Sequence, residues 1–164
     1  MDAMEALTTR RSVRKYKQDA VPAELIEKVV DAGRLAASAR NVQPWEFVVV
    51  INRQMRAELA EICEYGKFIS ESPACIVTFC HDTKYYLEDG SAAMQNMLVA
   101  AAALGLGTCW VAGDKKPYAR TIAEKLGVPP DCRLIGLVAL GHPADTGQRA
   151  PKRALSEVLH LERW

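Results

Sequence analysis

Apolar residues follow two different spacings along this chain. From Leu25 to Ala36 they recur every three or four positions behind Pro22, which predicts a helix with one buried face. Four short runs rich in β-branched and apolar residues instead predict strands. These runs occupy residues 45–51, 74–80, 108–112 and 133–140.

Four further segments predict helices, at residues 1–9, 54–63, 86–104 and 116–126. The segment 86–104 is rich in Ala, Met and Leu and is hydrophobic on nearly all its faces, so we expect burial on nearly all sides. Helices and strands therefore alternate irregularly around about four strands, too few for a long doubly wound sheet. Because no repeat or linker interrupts residues 1–164, we expect a single domain.

The C-terminal segment is polar until Leu155 and then carries apolar residues up to Trp164. Such a tail would be poorly protected on a lone chain of 164 residues. We therefore expect it to dock on a second copy of the chain, in a homodimer.

Charge and cysteine content narrow the class of protein. The 21 Lys and Arg residues nearly balance the 20 Asp and Glu residues, so net charge gives no general attraction to nucleic acid or membranes. Five cysteines without a C-x-x-C pair indicate buried, reduced thiols, and neither a disulfide framework nor a zinc site. Since polar residues and glycines interrupt the longest apolar stretch, 94–112, we expect a cytoplasmic protein without a membrane span.

The densest local charge is the segment Arg10–Lys15, in which four cations and Ser12 lie within six residues. Guanidinium groups supply paired donors and serine supplies one more, so the segment suits a phosphate. A solvated basic turn after a helix is an equally ordinary interpretation. The chain has no G-x-G-x-x-G motif, which disfavours a nucleotide held by backbone amides at a glycine-rich turn.

Three other features suit a heteroaromatic ligand, and each has a plainer interpretation. Asn41 and Gln43 offer donors and acceptors in a loop before a strand, although such residues also favour ordinary capping loops. Gln95 lies in the alanine-rich helix, where a buried amide needs a partner in another helix or in a ligand. Gly105 and Gly107 would let the backbone approach a flat ring closely, or they simply end the helix.

No side chain is predicted to be catalytic. His81, His142 and His160 are scattered without the spacing of metal ligands, and the carboxylates show no paired acid/base arrangement. Lys152 and Arg153 form a last basic pair, which is by default a solvated feature of the tail.

Taken together and in this order, the motifs resemble the nitroreductase family of FMN-dependent oxidoreductases. R-R-S-V-R at Arg10–Arg14 matches the family's opening phosphate-binding motif. S-A-R-N-V-Q-P-W at Ser38–Trp45 is similar to its S-x-x-N-x-Q-P-W strand entry, and Asp89–Val111 resembles its central helix and the strand that follows. Gly141–Pro143 and then Lys152–Arg153 match its C-terminal pattern.

The resemblance implies an α+β fold with a central mixed sheet of four to five strands flanked by helices. It also implies an intertwined homodimer with two FMN sites. Arg10, Ser12 and Arg14 would hold the phosphate or nearby ribityl oxygens, with help from Lys152 or Arg153.

The flavin ring would lie against residues from both chains, with Asn41 and Gln43 across the interface from part of its shell. The chain is short for the family between Ile51 and Pro73, so the site is expected to be more open, or covered by residues 65–68. The complete set of implied cofactor-binding residues is Arg10, Arg11, Ser12, Arg14, Ser38, Ala39, Arg40, Asn41, Gln43, Gln95, Cys109, Trp110, Val111, Gly113, Lys152 and Arg153.

The activity implied is ping-pong. NADH or NADPH gives a hydride to FMN N5 and leaves, and a small organic acceptor such as a nitroaromatic or a quinone takes its place. Cys109 is expected to pack beside the flavin and not to serve as a redox thiol.

Other functions stay open at this point. Another flavin reaction on the same fold (dehalogenation, enone reduction or flavin cleavage) and a non-catalytic flavin-binding protein are the alternatives. A nucleic-acid binder using Arg10–Lys15 is disfavoured by the near-neutral total charge.

Overall fold

Four strands form the centre of the computed structural model, which describes residues 1–145 and 150–164. The strands are β1 (Trp45–Val50), β2 (Ala74–His81), β3 (Gly107–Ala112) and β4 (Cys132–Gly141), in the order β1-β2-β4-β3. All four predicted strands are confirmed, each to within one residue at either end.

The α+β class and the flanking helices are confirmed, but the sheet is antiparallel and the expected mixed pairing is wrong for it. β2 and β3 run in the same direction, yet β4 lies between them and pairs antiparallel with both. β1 is also antiparallel to its neighbour β2. The one parallel pairing among the described residues is an isolated bridge between Ser12 and Thr108 of β3.

Five helices surround the sheet: α1 (Ala3–Thr9), α2 (Ala23–Arg34), α3 (Arg53–Ile62), α4 (Tyr86–Ala103) and α5 (Ala119–Lys125). α1 and α3 begin where Asp2 and Asn52 accept hydrogen bonds from backbone N–H groups three residues on, at 2.8 and 2.9 Å. α5 is shorter than the predicted 116–126 because residues 114–118 form turns, with Lys115 at a φ of 61°.

The sheet is covered on both faces. On one face α4 packs Met94 and Met97 against Ile76 of β2 and Val138 of β4, and on the other face lie α3 and α5. β2 and β4 are therefore buried on both sides, which is why their sequences are continuous apolar runs.

The expectation that residues 86–104 are buried on nearly all sides is wrong for the single chain. Gln95 and Asn96 are exposed on α4. Asn96 Nδ2 donates to the carbonyl of Ala32 in α2 at 3.1 Å. The two helices approach closely at Gly33, where an added Cβ would lie 2.8 Å from Met97 Cγ.

The predicted state of the thiols is confirmed: all five cysteines are buried and none forms a disulfide. In the described part of the chain, no helix combines the length and apolar character needed to cross a membrane.

Candidate functional site

The basic segment docks on the outer edge of β3. The Val13 N–H donates to the Thr108 carbonyl at 2.8 Å, and Ser12 forms the parallel bridge with Thr108. Val13 is buried while Ser12 and Arg14 on either side are exposed, as expected for an extended segment whose side chains alternate. Gly107 permits this contact, since a Cβ there would lie 2.9 Å from three carbons of Val13.

Three of the four cations of the segment have no carboxylate partner among the described residues, whereas Lys15 Nζ lies 3.8 Å from Asp145 Oδ2. Within the described residues, no ion pair involves Arg10 or Arg14. Arg11 is different, because its Nη1 donates to the carbonyls of Thr8 and Arg10 at 3.1 and 2.6 Å and so satisfies the end of α1. Arg10 and Arg14 are therefore the members of the segment most available to an anion.

Beyond this contact, one peptide group of β3 makes no backbone hydrogen bond to the described residues at the outer edge of the strand. The Thr108 carbonyl accepts from Val13, and the Ala112 carbonyl accepts from the Tyr118 hydroxyl at 2.6 Å. Because backbone groups of a strand alternate in direction, the N–H and C=O of Trp110 face this same edge. No backbone group among the described residues pairs with them there; the N–H makes no hydrogen bond on this edge, and the carbonyl receives only a weak contact from Cys109 Sγ at 3.8 Å.

A cavity of about 140 Å³ opens at this edge. Arg14 lies at one side of it, with its guanidinium carbon 5.8 Å from the centre of the Phe68 ring. Tyr65 and Phe68, two residues of the segment 65–68, also line the cavity, as does the β3 stretch 109–112. Pockets for organic ligands usually measure about 300–1,000 Å³, so this cavity is smaller than a usual ligand pocket.

Cys109 lies beside the basic segment as a neutral thiol. Burial raises its pKa, although the nearby Arg14, a hydrogen bond with Ser12 and the charge of Arg10 act in the opposite direction. A buried neutral thiol is a poor nucleophile. The geometry therefore gives Cys109 no evident reactive role.

The loop before β1 has an unusual backbone. Arg40, Asn41 and Gln43 have φ values of 54°, 57° and 52°, in the left-handed region that residues with side chains rarely adopt. Each such residue costs about 1 kcal/mol or more, and residues of this kind cluster at ligand sites.

Several hydrogen bonds hold this loop, and two of them are accepted by the side chains of Ser38 and Asp89. Ser38 Oγ accepts from the Gln43 N–H at 3.0 Å, and Asp89 Oδ1 accepts from the Ala39 N–H at 2.9 Å. Asp89 is buried in the first turn of α4, so it anchors the loop to the central helix. Asp89 was not predicted as a site residue, because in the sequence it is simply one of two adjacent acids, with Glu88, at the start of a mainly apolar helix.

Most of the predicted site residues fall into two separate groups on one chain. One group is the basic segment with the β3 edge, and the other is the loop 38–43, which borders a second cavity of about 160 Å³. No hydrogen bond or ion pair among the described residues joins the two groups.

Other predicted site residues lie apart from both groups. Gln95 is exposed on α4. Gly113 is buried against β4, where a Cβ would lie 2.5 Å from Leu134 Cγ, so packing alone accounts for this glycine.

The tail carries the remaining predicted residues. Every residue from Ala150 to Trp164 is exposed, including Lys152 and Arg153. Arg153 Nη2 donates to the Glu157 carbonyl at 2.6 Å, a contact within its own turn. No hydrogen bond or ion pair in the described chain connects the tail with Arg10–Arg14.

Comparison with known proteins gives a consistent result. The sequence profile described as the Nitroreductase family matches residues 7–85 and 80–142. A protein of Methanothermobacter thermautotrophicus, named as a candidate NADH dehydrogenase/NAD(P)H nitroreductase, is 36% identical over a 174-residue alignment that covers 100% of this chain and 88% of the relative.

Two solved structures are similar over nearly their whole length. A Parabacteroides distasonis protein described in the same terms has a TM-score of 0.93 and 30% identity, covering 99% of this chain and 98% of that one. A candidate nitroreductase of Desulfovibrio desulfuricans, solved in complex with FMN, has a TM-score of 0.88 and 31% identity. The match covers 100% of this chain and 98% of that one. With a family profile matching most of its length and full-length relatives above 30% identity, this chain belongs to the nitroreductase family.

Proposed function

We propose that this chain is an FMN-dependent NAD(P)H oxidoreductase that acts as a homodimer on small organic electron acceptors such as nitroaromatics or quinones. Family membership and the FMN in the Desulfovibrio relative support the cofactor. The names of other relatives, an NADPH-flavin oxidoreductase and an FMN reductase, support the nicotinamide donor.

The observation that carries the proposal is the pairing of unmatched cations with an open strand edge. Arg10 and Arg14 have no carboxylate partner in the described chain, and the Ser12–Thr108 bridge fixes their segment beside the Trp110 peptide group, which makes no backbone hydrogen bond on this edge. Cations without carboxylate partners suit a phosphate, and an open strand edge suits the edge of a heteroaromatic ring. FMN carries both groups in one molecule, so these residues fit it.

Bound FMN would supply the redox chemistry, accepting hydride from the nicotinamide at N5 and passing it to the acceptor. The chain's own task is to bind and orient. Arg10 and Arg14 hold the phosphate, and the Trp110 N–H and C=O align the ring edge. Asn41 and Gln43 offer amide donors and acceptors from a loop whose strained backbone fixes their direction.

Two half-sites on separate chains explain why one chain holds the predicted residues in two unconnected groups. Each cavity is small alone. The tail carries Leu155, Leu161 and Trp164, of which the first two are largely exposed and Trp164 is fully exposed. Exposed apolar residues of this kind favour burial against a partner. The loop 38–43 of one chain then completes the site formed by Arg10–Arg14 of the other.

Stopped-flow reduction tests the proposed activity. We expect NADH or NADPH to bleach the flavin absorbance in a single turnover, and a nitroaromatic or quinone added next to restore it. Steady-state rates should give parallel double-reciprocal lines, as a ping-pong cycle requires. Full FMN occupancy with no reduction by either nicotinamide would instead identify a non-catalytic flavin-binding protein.

A further inference from the structure

A mixed cluster of metal-ligand side chains lies at one end of the sheet, outside the proposed cofactor site. His81 is the last residue of β2, and it pairs across the strands with Cys132, the first residue of β4. Asp131 precedes Cys132, and Glu46 lies nearby on β1. The strand pairing thus unites residues that are about 50 positions apart, which is why the sequence spacing gave no sign of a metal site.

Three potential ligand atoms of this cluster lie close to one another. His81 Nδ1 lies 3.1 Å from Asp131 Oδ2 and 3.6 Å from Cys132 Sγ. All three atoms lie within 4.8 Å of one another. Ligand atoms on one tetrahedral zinc ion lie roughly 3.3–3.7 Å apart, given the usual Zn–N, Zn–O and Zn–S bond lengths. Small side-chain movements would therefore place all three atoms at bonding distance from one zinc ion.

Glu46 contacts the other side of the imidazole. His81 Nε2 lies 3.4 Å from Glu46 Oε1, so a hydrogen on Nε2 can be donated to this carboxylate. In that tautomer Nδ1 carries the lone pair, and this nitrogen is the one that lies near Asp131 Oδ2 and Cys132 Sγ. Metal-binding histidines commonly donate their second ring N–H to a carboxylate in this way.

We propose that His81, Asp131 and Cys132 form a zinc-binding site, with Glu46 as the residue that positions the imidazole. A thiolate, an imidazole and a carboxylate suit Zn²⁺ and do not suit Mg²⁺ or Ca²⁺, which take oxygen ligands. Binding releases the thiol proton of Cys132 to solvent. His81 and Asp131 are exposed, so water completes the tetrahedron and the ion exchanges with solution.

A bound ion would tie the end of β2 to the start of β4. The backbone N–H of His81 donates to the Pro44 carbonyl at 2.9 Å, which links the cluster to the start of β1. Since the ligands come together only in the folded chain, zinc should stabilise that state and raise the melting temperature.

Zinc titration of untagged, chelator-treated flavoprotein tests the proposal. We expect one Zn²⁺ per chain by calorimetry. X-ray absorption at the zinc edge should show one sulfur neighbour at about 2.3 Å. Cys132→Ser should remove the sulfur signal. Asp131→Asn should weaken zinc binding at least about tenfold, and Glu46→Ala should weaken it about tenfold while the sulfur neighbour stays.

Asp82→Asn is the matched control, because Asp82 is an exposed carboxylate beside the cluster that pairs with Arg133. Its zinc affinity should equal that of the unmodified protein. Asp131 is exposed too, so its variant gives an answer even if Cys132→Ser folds poorly. The proposal is overturned by an absence of zinc uptake, by a sulfur signal that survives Cys132→Ser, or by equal losses in Asp82→Asn and Asp131→Asn.

Discussion

The backbone N–H of Val13 donates to the carbonyl of Thr108 at 2.8 Å, and this contact fixes the basic segment on the edge of β3. Arg10 and Arg14 lie on either side of this contact in the sequence, and we propose that both bind the phosphate. The position of the proposed phosphate site therefore depends on how closely Val13 can approach β3.

Gly107→Ala should move this segment. The added Cβ would lie 2.9 Å from three carbons of Val13, so Val13 must shift outward and carry Arg14 with it. We expect a loss of about 1–3 kcal/mol in the free energy of unfolding and a measurable rise in the FMN dissociation constant. Denaturant unfolding and fluorescence titration measure the two quantities.

Gly127→Ala is the control for general destabilisation. Gly127 has a φ of 69° and an added Cβ meets nothing within 4 Å, so its cost comes from backbone strain far from the site. The control should lower stability and leave FMN affinity unchanged. Equal FMN affinity in both variants would show that the Val13 contact does not position the cofactor site.

Asp89 is predicted to act by holding the loop 38–43. Asp89→Ala leaves the Ala39 N–H without its acceptor, whereas Asp89→Asn retains an oxygen in the same place. Losing this bond should weaken FMN binding by roughly tenfold in the alanine variant, and the asparagine variant should stay near the original affinity. If both variants bind FMN equally weakly, the charge of Asp89 matters and its acceptor geometry does not.

Removal of the tail from Leu155 to Trp164 should abolish the dimer and the bound FMN together. These residues are all exposed and belong to neither core cluster, so the shortened chain should keep its fold by circular dichroism. Light scattering gives the mass and absorbance gives the flavin content. A folded monomer that binds FMN tightly would contradict a site formed between two chains.

The buried thiol of Cys63 predicts a loss of stability in alkali. Burial raises its pKa from the ordinary 9.0 to about 11, with smaller opposing effects from Tyr118 and Lys67. Between these two pH values the unfolded chain gives up the proton and the folded chain keeps it, so unfolding becomes easier as pH rises. Cys63→Ala should remove this contribution. The free energy of unfolding should then fall less steeply as pH rises, by roughly 1.4 kcal/mol per pH unit. Urea unfolding at several pH values between 9 and 11 measures this in both proteins. If the free energy of unfolding falls equally steeply with pH in both, the prediction is wrong.

The sequence predicted the strands well because β2 and β4 are buried on both faces and so appear as unbroken apolar runs. It predicted the family from ordered motifs that cover most of the chain. Strand order and direction did not follow, because they depend on which strands pair across long connections.

The arrangement of the candidate site could be inferred from the sequence only in part. Arg14 and Trp110 line one cavity, and their proximity could be anticipated because the basic segment and β3 each have a local motif. Asp89 and the exposure of Gln95 could not be inferred, since both depend on how α4 is oriented. The contacts of Lys152 and Arg153 stay a prediction, because nothing within one chain holds them near the segment.

FMN and riboflavin titrations of the flavin-stripped protein test the central claim, because the two ligands differ only in the phosphate. We predict one FMN per chain, bound roughly a hundredfold or more tighter than riboflavin, since each arginine contact with the phosphate contributes about 1.5–3 kcal/mol. This preference should disappear in Arg10→Ala/Arg14→Ala and persist in Arg34→Ala/Arg120→Ala, which removes the same charge from two exposed ion pairs. No uptake of FMN in excess, or equal affinity of the unmodified protein for both ligands, would contradict the account.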